Sequence, residues 1–322
     1  MYQAFFKLTR SPFELTPDPA CFVPSRRHNE ALAALYYGVR QHKGFVVVTG
    51  EVGTGKTLLL RCLLGLLKES RDIVYAYLFN GRLSATEFLQ YILADLGLPI
   101  EGKSKCELLL DLGHFLAARC DEKMTTVLIV DEAHHLSPEI LEEVRLLSNL
   151  ETTSQKLLQI VLAGQPELDT MLDSRGLRQL KQRIAVRTQL CPLNAEESRR
   201  YIETRLQLAG AENTDLFNPE AVAAVFRYSA GLPRLINTLC ENALISAYSR
   251  DSQRVTAEMV DEVAREFRLD AEGVGRGRDQ QYEAEEAAEC CFKALPAGGA
   301  QRRVEGWQCA APAARGGKAD PS

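Results

Sequence analysis

Apolar residues along the chain fall into two rhythms. Short unbroken runs, rich in β-branched residues, lie at 45–48, 73–79, 125–130 and 157–163, with a weaker one at 185–190. Runs of this kind read as strands buried on both faces. Segments whose apolar positions repeat at helical spacing separate them, at about 84–97, 104–121, 138–150 and 175–183. An earlier helix runs from about 26 to 41, after an irregular start punctuated by Pro12, Pro17, Pro19 and Pro24. Strand alternating with helix predicts an α/β fold over residues 1–191, a five-stranded parallel sheet covered on both sides.

From Pro192 the pattern is helical only. Asn194, with Glu196 and Glu197 behind it, starts a helix with a capping side chain and first-turn acids. Asn218-Pro219-Glu220 starts a second, which Gly231 ends. Pro233 opens a third, with Leu235, Ile236, Leu239, Cys240, Ala243 and Leu244 on its apolar face, and Thr256 begins a fourth carrying Met259, Val260, Val263 and Phe267. A small all-α lid domain over 192–270 is expected. Beyond it the Ala, Gly, Pro and Arg content has no sustained period, so 271–322 reads as a low-complexity, disordered tail with a short acidic helix at 282–295 and no core for Trp307.

Composition narrows the class. Acidic residues outnumber basic ones, 43 to 38, which argues against a wholesale basic footprint for nucleic acid while leaving room for a local basic face. The stretch from Met1 to Lys7 lacks a cationic start followed by an apolar segment, and no apolar run is long enough to span a bilayer. A signal peptide and a transmembrane helix are therefore not expected, and the expected place is the cytoplasm, peripheral to the inner membrane at most. Nine cysteines, odd in number and without a Cys-x-x-Cys pair, read as reduced thiols.

The chemistry begins at Gly50-Glu51-Val52-Gly53-Thr54-Gly55-Lys56-Thr57, between the first strand and a helical run starting at Leu58. Strand, glycine-rich turn and helix make a phosphate cradle, in which backbone N–H groups converge on phosphate oxygens at the positive end of the helix. Lys56 reaches the β- and γ-phosphates of a nucleotide and Thr57 sets its hydroxyl on Mg²⁺. The strand at 125–130 ends in Asp131-Glu132, and carboxyl ends of parallel strands are where ligands bind. Asp131 is expected to hold the Mg²⁺, usually through water, and Glu132 to orient and deprotonate the attacking water, so the two sites together describe an ATP hydrolase. Asp131-Glu132-Ala133-His134 also spells the tetrapeptide of one helicase class, but a second motor domain is not visible. His134 and His135 lack a further His or Cys at ligand spacing, and no metal beyond Mg²⁺ is expected.

Three more polar residues complete the expected machine. Gln165 follows the strand at 157–163 and would aim its amide at the γ-phosphate or the water. Arg234, at the start of a lid helix, would reach the nucleotide from the same subunit. Arg183, before the last strand, would meet ATP only across a subunit boundary, with Arg178 and Arg187 as rivals. A guanidinium at the transferred phosphoryl group raises the rate by about 10³ to 10⁵.

With these residues in place the sequence resembles an AAA+ ATPase, and more narrowly the general secretion pathway protein A family, which includes pilus-biogenesis and exosortase-associated ATPases. The likeness covers residues 1–268. It rests on the Walker A segment 50–57, the Walker B segment from Asp131 to His134, and the stretches at 12–19, 147–152, 164–168 and 231–237. It implies strand order 5-1-4-3-2, sensor roles for Gln165 and Arg234, a finger role for Arg183, adenine contacts from the segment 22–28, and homo-oligomeric assembly. It also implies ATP and Mg²⁺ as ligands and an envelope secretion, pilus or exosortase/exopolysaccharide system as partner. Secretion members continue into a membrane helix and a peptidoglycan-binding region; this sequence ends in a polar tail, so the shorter exosortase-associated type is the expectation. A DNA-binding regulator resembling transposition ATPases is the alternative, through arginines between 175 and 187.

Overall fold

The computed structural model describes residues 1–79, 83–153 and 155–269. Along the chain the elements are α1 (Tyr2–Phe5), α2 (Arg26–Arg40), β1 (Phe45–Gly50), α3 (Lys56–Lys68), β2 (Ile73–Leu78), α4 (Ala85–Asp95), α5 (Lys105–Asp121), β3 (Thr125–Val130), α6 (Pro138–Leu147), β4 (Leu158–Gly164), α7 (Pro166–Leu172), α8 (Arg178–Lys181) and β5 (Ile184–Leu190). Helices α9 (Ala195–Leu208), α10 (Pro219–Ser229), α11 (Pro233–Ser249) and α12 (Ala257–Glu266) follow. The strands form one parallel sheet in the order β2-β3-β4-β1-β5, the expected order read from the other edge.

Period-two alternation sorts the strand residues between two apolar layers. Phe45, Val47, Leu128, Val130, Ile160 and Leu162 face a core completed by α4, α5 and α6. Their neighbours Val46, Val48, Val127, Ile129, Val161 and Ala163 face α2 and α3, where Leu35, Leu59, Leu60, Leu63 and Leu67 are buried. Each large side chain so buried stabilises the fold by about 1.5–3 kcal/mol. The helices start where side chains can cap them: Ser84 with Glu87, Ser104 with Glu107 and Asn194 with Glu197 form reciprocal capping boxes.

Three local expectations are revised. The helix expected at 175–183 is broken into a 3₁₀ turn, Arg175–Leu177, and the single turn α8, because Gly176 weakens a helix at its centre and Leu177 has left helical geometry. Helix α7 was not expected; Pro166 opens it, with Glu167 and Asp169 in its first turn. The irregular start is not loose. Tyr2, Phe6, Leu8 and Phe13 are buried in the apolar core of α9–α12, against residues such as Ile202, Leu239 and Val260. Thr9 N–H and hydroxyl both donate to the Ala209 carbonyl, and Tyr2 donates to Glu241 at 2.6 Å. The tail readings for 271–322 lie outside the described residues, as does the acidic helix at 282–295. Among the described residues, no helix is long and apolar enough to cross a membrane.

Candidate functional site

β1 and β3 are separated in the sheet by β4, yet the loops at their carboxyl ends meet in one cleft roofed by α11. The segment 50–55 curls over the start of α3. Gly55 takes a left-handed φ of 99° as the residue before α3, and Gly53 has φ 85° with Arg234 so close that an added Cβ would stand 2.9 Å from the arginine's own. Both positions thus demand glycine, one for conformation and the other for conformation and room. His28 braces the loop from beneath: its Nε2 lies 2.8 Å from the Thr54 carbonyl and its Nδ1 2.7 Å from Ser25 Oγ. Because a carbonyl only accepts, Nε2 carries a proton, and in the neutral ring Nδ1 is then the acceptor of the Ser25 hydroxyl. Burial pushes His28 below its ordinary pKa, in agreement with that state.

Lys56 is buried, and its ammonium donates to the carbonyls of Gly50 at 2.7 Å and Glu51 at 3.0 Å. Burial lowers its pKa, while Glu132, Asp131 and Glu51 oppose that shift. Thr57 donates to Asp131 Oδ2 at 2.8 Å, Tyr77 donates to the same oxygen at 3.0 Å, and the Glu132 N–H donates to Oδ1 at 2.9 Å. Tyr77 was not foreseen; burial first and Asp131 second hold its hydroxyl protonated. The donor set of Thr57 and Asp131 is all oxygen and hard, and two ligands on adjacent corners of an octahedral magnesium lie about 3 Å apart. Their spacing fits that ion.

Glu132 has a left-handed backbone, φ 51° and ψ 38°, an unusual conformation for a side-chain-bearing residue. It turns the chain abruptly after β3 into a 3₁₀ turn, Ala133–His135. Gln165, the last residue before α7, donates its backbone N–H to His134 Nδ1 at 3.4 Å and faces the cleft. Burial of the ring and the adjacent His135 push His134 down, so the imidazole near Glu132 is neutral at pH 7 and the contact is not an ion pair.

The cleft encloses about 330 Å³, lined by the phosphate loop, Glu132, Gln165 and Arg234. Arg234 is brought there by the Pro233 start of α11, and its backbone N–H donates to the Gly53 carbonyl at 3.3 Å. Arg183 is elsewhere. Its guanidinium donates to Ser148 Oγ at 2.5 Å and the Arg145 carbonyl at 3.3 Å, at the end of α6, and it does not line the cleft. The rival Arg187 pairs with Asp169. Residues 14–18 line the upstream side of the cleft, and within 22–28, the segment expected at the adenine, Phe22 packs edge-on to His28. Tyr201, Arg205 and Asn237 complete that side and escaped the sequence reading. Arg205, 4 % exposed, donates to the Pro12 and Glu14 carbonyls and to Tyr201, whose hydroxyl donates to Asn237.

Comparison with known proteins agrees with this geometry. Residues 39–172 match the family described as AAA domain. Over 257 residues, 79 % of this chain, the sequence is 46 % identical to general secretion pathway protein A of Aeromonas hydrophila. The chain is an AAA+ protein related to general secretion pathway protein A. This AAA+ chain spans 46 % of that relative's length. Among solved structures it is similar to the Aeropyrum pernix ORC2 protein in its ADPNP–ADP complexes, with a TM-score of 0.60, 18 % identity, and 80 % of this chain and 71 % of the other covered. It is also similar to the Aeropyrum pernix ORC1 protein in complex with DNA, with a TM-score of 0.61, 21 % identity and coverages of 81 % and 70 %. At such identities the likeness is one of fold.

Proposed function

We propose that this AAA+ chain binds ATP with Mg²⁺ in the cleft between the phosphate loop and the acids after β3, hydrolyses it, and uses the cycle to assemble or regulate an envelope secretion, pilus or exosortase-linked exopolysaccharide system. The observation that carries the reading is the convergence of Thr57, Asp131 and Lys56 under a lid that delivers Arg234. Backbone N–H groups of 50–57 and the Lys56 ammonium hold the triphosphate, releasing the carbonyls of Gly50 and Glu51 that the lysine now caps. Thr57 and Asp131 hold the magnesium, which supplies neutralising charge to the phosphates. Glu132 takes the proton of the attacking water, Gln165 orients it, and Arg234 balances the charge that grows on the transferred group.

Arg183 acts in a neighbouring subunit's cleft, which makes the working form a homo-oligomer. The expected place is the cytoplasm, peripheral to the inner membrane at most. That the aligned relative is a secretion-pathway protein supports an envelope partner. Two variants test the core of this reading. Lys56→Ala abolishes ATP binding measured by calorimetry, whereas Glu132→Gln binds ATP yet turns it over at least about 10²-fold more slowly. Parent-rate hydrolysis by Glu132→Gln removes the base from Glu132.

A further inference from the structure

A cluster beside the cleft has chemistry that ATP turnover does not use. Glu132, His134 and His135 each offer a ligand atom, and these atoms all lie within 4.8 Å of one another. Glu132 Oε2 is buried and accepts no hydrogen bond. It stands 3.4 Å from His134 Nδ1, which accepts from the Gln165 N–H, also at 3.4 Å, the outer edge of a hydrogen bond. Oε2 thus has no donor among the described residues while the side chain still reaches solvent, an acceptor available to a cation. Tetrahedral ligands at about 2.1 Å from zinc lie about 3.4 Å from each other, the spacing that Oε2 and Nδ1 already have. The exposed His135 ring, its centroid 4.0 Å from that of His134, offers a third ligand atom from the solvent side.

We infer that Glu132, His134 and His135 form a binding site for a divalent transition metal, zinc foremost, and that its occupancy is an off-switch for the neighbouring hydrolytic cleft. Two imidazoles and one carboxylate select zinc, cobalt or nickel over magnesium, which keeps oxygen ligands and its water shell. The site is thereby chemically separate from Thr57 and Asp131, one residue away. A metal on Glu132 occupies the lone pair that would accept the proton of water. It also displaces the Gln165 N–H from His134. Binding itself requires nothing of ATP; only the off-switch rests on the hydrolytic reading above.

The test uses the chelator-stripped full chain without nucleotide, titrated with Co²⁺. One equivalent binds with the visible absorption of a low-coordinate nitrogen–oxygen site, Zn²⁺ displaces it, Asp131→Asn retains it, and His135→Ala and His134→Ala weaken it at least tenfold. No saturable binding, or binding unchanged in both histidine variants, overturns the site. Turnover with excess MgATP is then measured at buffered free Zn²⁺, each protein normalised to its own zinc-free rate. Zinc slows the parent at least tenfold and His135→Ala far less; equal inhibition of the two, or a parent that binds zinc and keeps its rate, overturns the off-switch. A chain that binds Co²⁺ in the stated pattern but never cleaves ATP overturns the off-switch together with the hydrolytic reading, and the spectrum still establishes the metal site.

Discussion

Two arginines at opposite places in the molecule show how differently one chain can deploy the same charge. Arg234 is carried by α11 onto the phosphate loop, its backbone bonded to Gly53, and it lines the cleft of its own subunit. Arg183 is spent on Ser148 and the Arg145 carbonyl at the end of α6, outside the cleft altogether. The first position needs only the lid; the second has a task at a nucleotide only when another subunit presents its own. Proximity within a chain thus separates a candidate sensor from a candidate finger, although in the sequence both are single arginines beside a structural boundary.

Mixing experiments break or sharpen that contrast. Arg183→Ala alone loses turnover by about 10³-fold or more, and mixing with Glu132→Gln subunits, which supply the arginine but cannot hydrolyse, restores it. Turnover that stays lost in the mixture leaves Arg183 a brace for α6. Arg234→Ala loses about 10²-fold, corresponding to about 2.7 kcal/mol of transition-state stabilisation, and the same mixing gives no rescue because the residue serves its own cleft. Rescue of both variants would erase the distinction. A smaller effect probes the acid side: Tyr77→Phe removes one donor from Asp131 and raises the Mg²⁺ concentration for half-maximal rate by up to about tenfold, with ATP affinity at saturating Mg²⁺ unchanged. An unaltered Mg²⁺ requirement would reduce Tyr77 to packing.

The weakest effect is on stability. His28 is held below its ordinary pKa of 6.5 in the folded protein by burial. The unfolded chain therefore binds more protons as pH falls past 6.5, and stability that is fully present above this value declines toward the lowered folded value. Melting temperature between pH 7.5 and 5.5 falls in the parent and falls less in His28→Gln, which keeps a donor for the Thr54 carbonyl. His134, shifted in the same direction by burial, leaves some slope in the variant. Parallel curves for the two proteins would show that His28 does not titrate in this range.

What the chain made legible follows from distance along it. The strands, the phosphate loop, Asp131-Glu132 and the lid helices each declare themselves within a dozen residues, through periodicity, capping side chains and glycine spacing. The far wall of the cleft does not. Arg205 reaches the carbonyls of Pro12 and Glu14 across about 190 positions, and nothing local to either segment announces the pairing. The apolar density at Tyr2, Phe5, Phe6, Leu8 and Phe13 was the available hint that the start is packed. Tyr77 was read correctly as a strand residue, but its meeting with Asp131 depends on β2 lying beside β3.

The N-terminal strap has a consequence for how the molecule is made. Tyr2 bonds to Glu241, 239 residues later, and the apolar partners of residues 2–13 lie in α9–α12. During synthesis the sheet and its two helical layers can assemble while the opening segment still waits for the helices that will bury it. Docking of the strap is then a late, long-range closure, slow by its sequence separation, and until it happens the apolar side chains of residues 2–13 lack the helices that bury them.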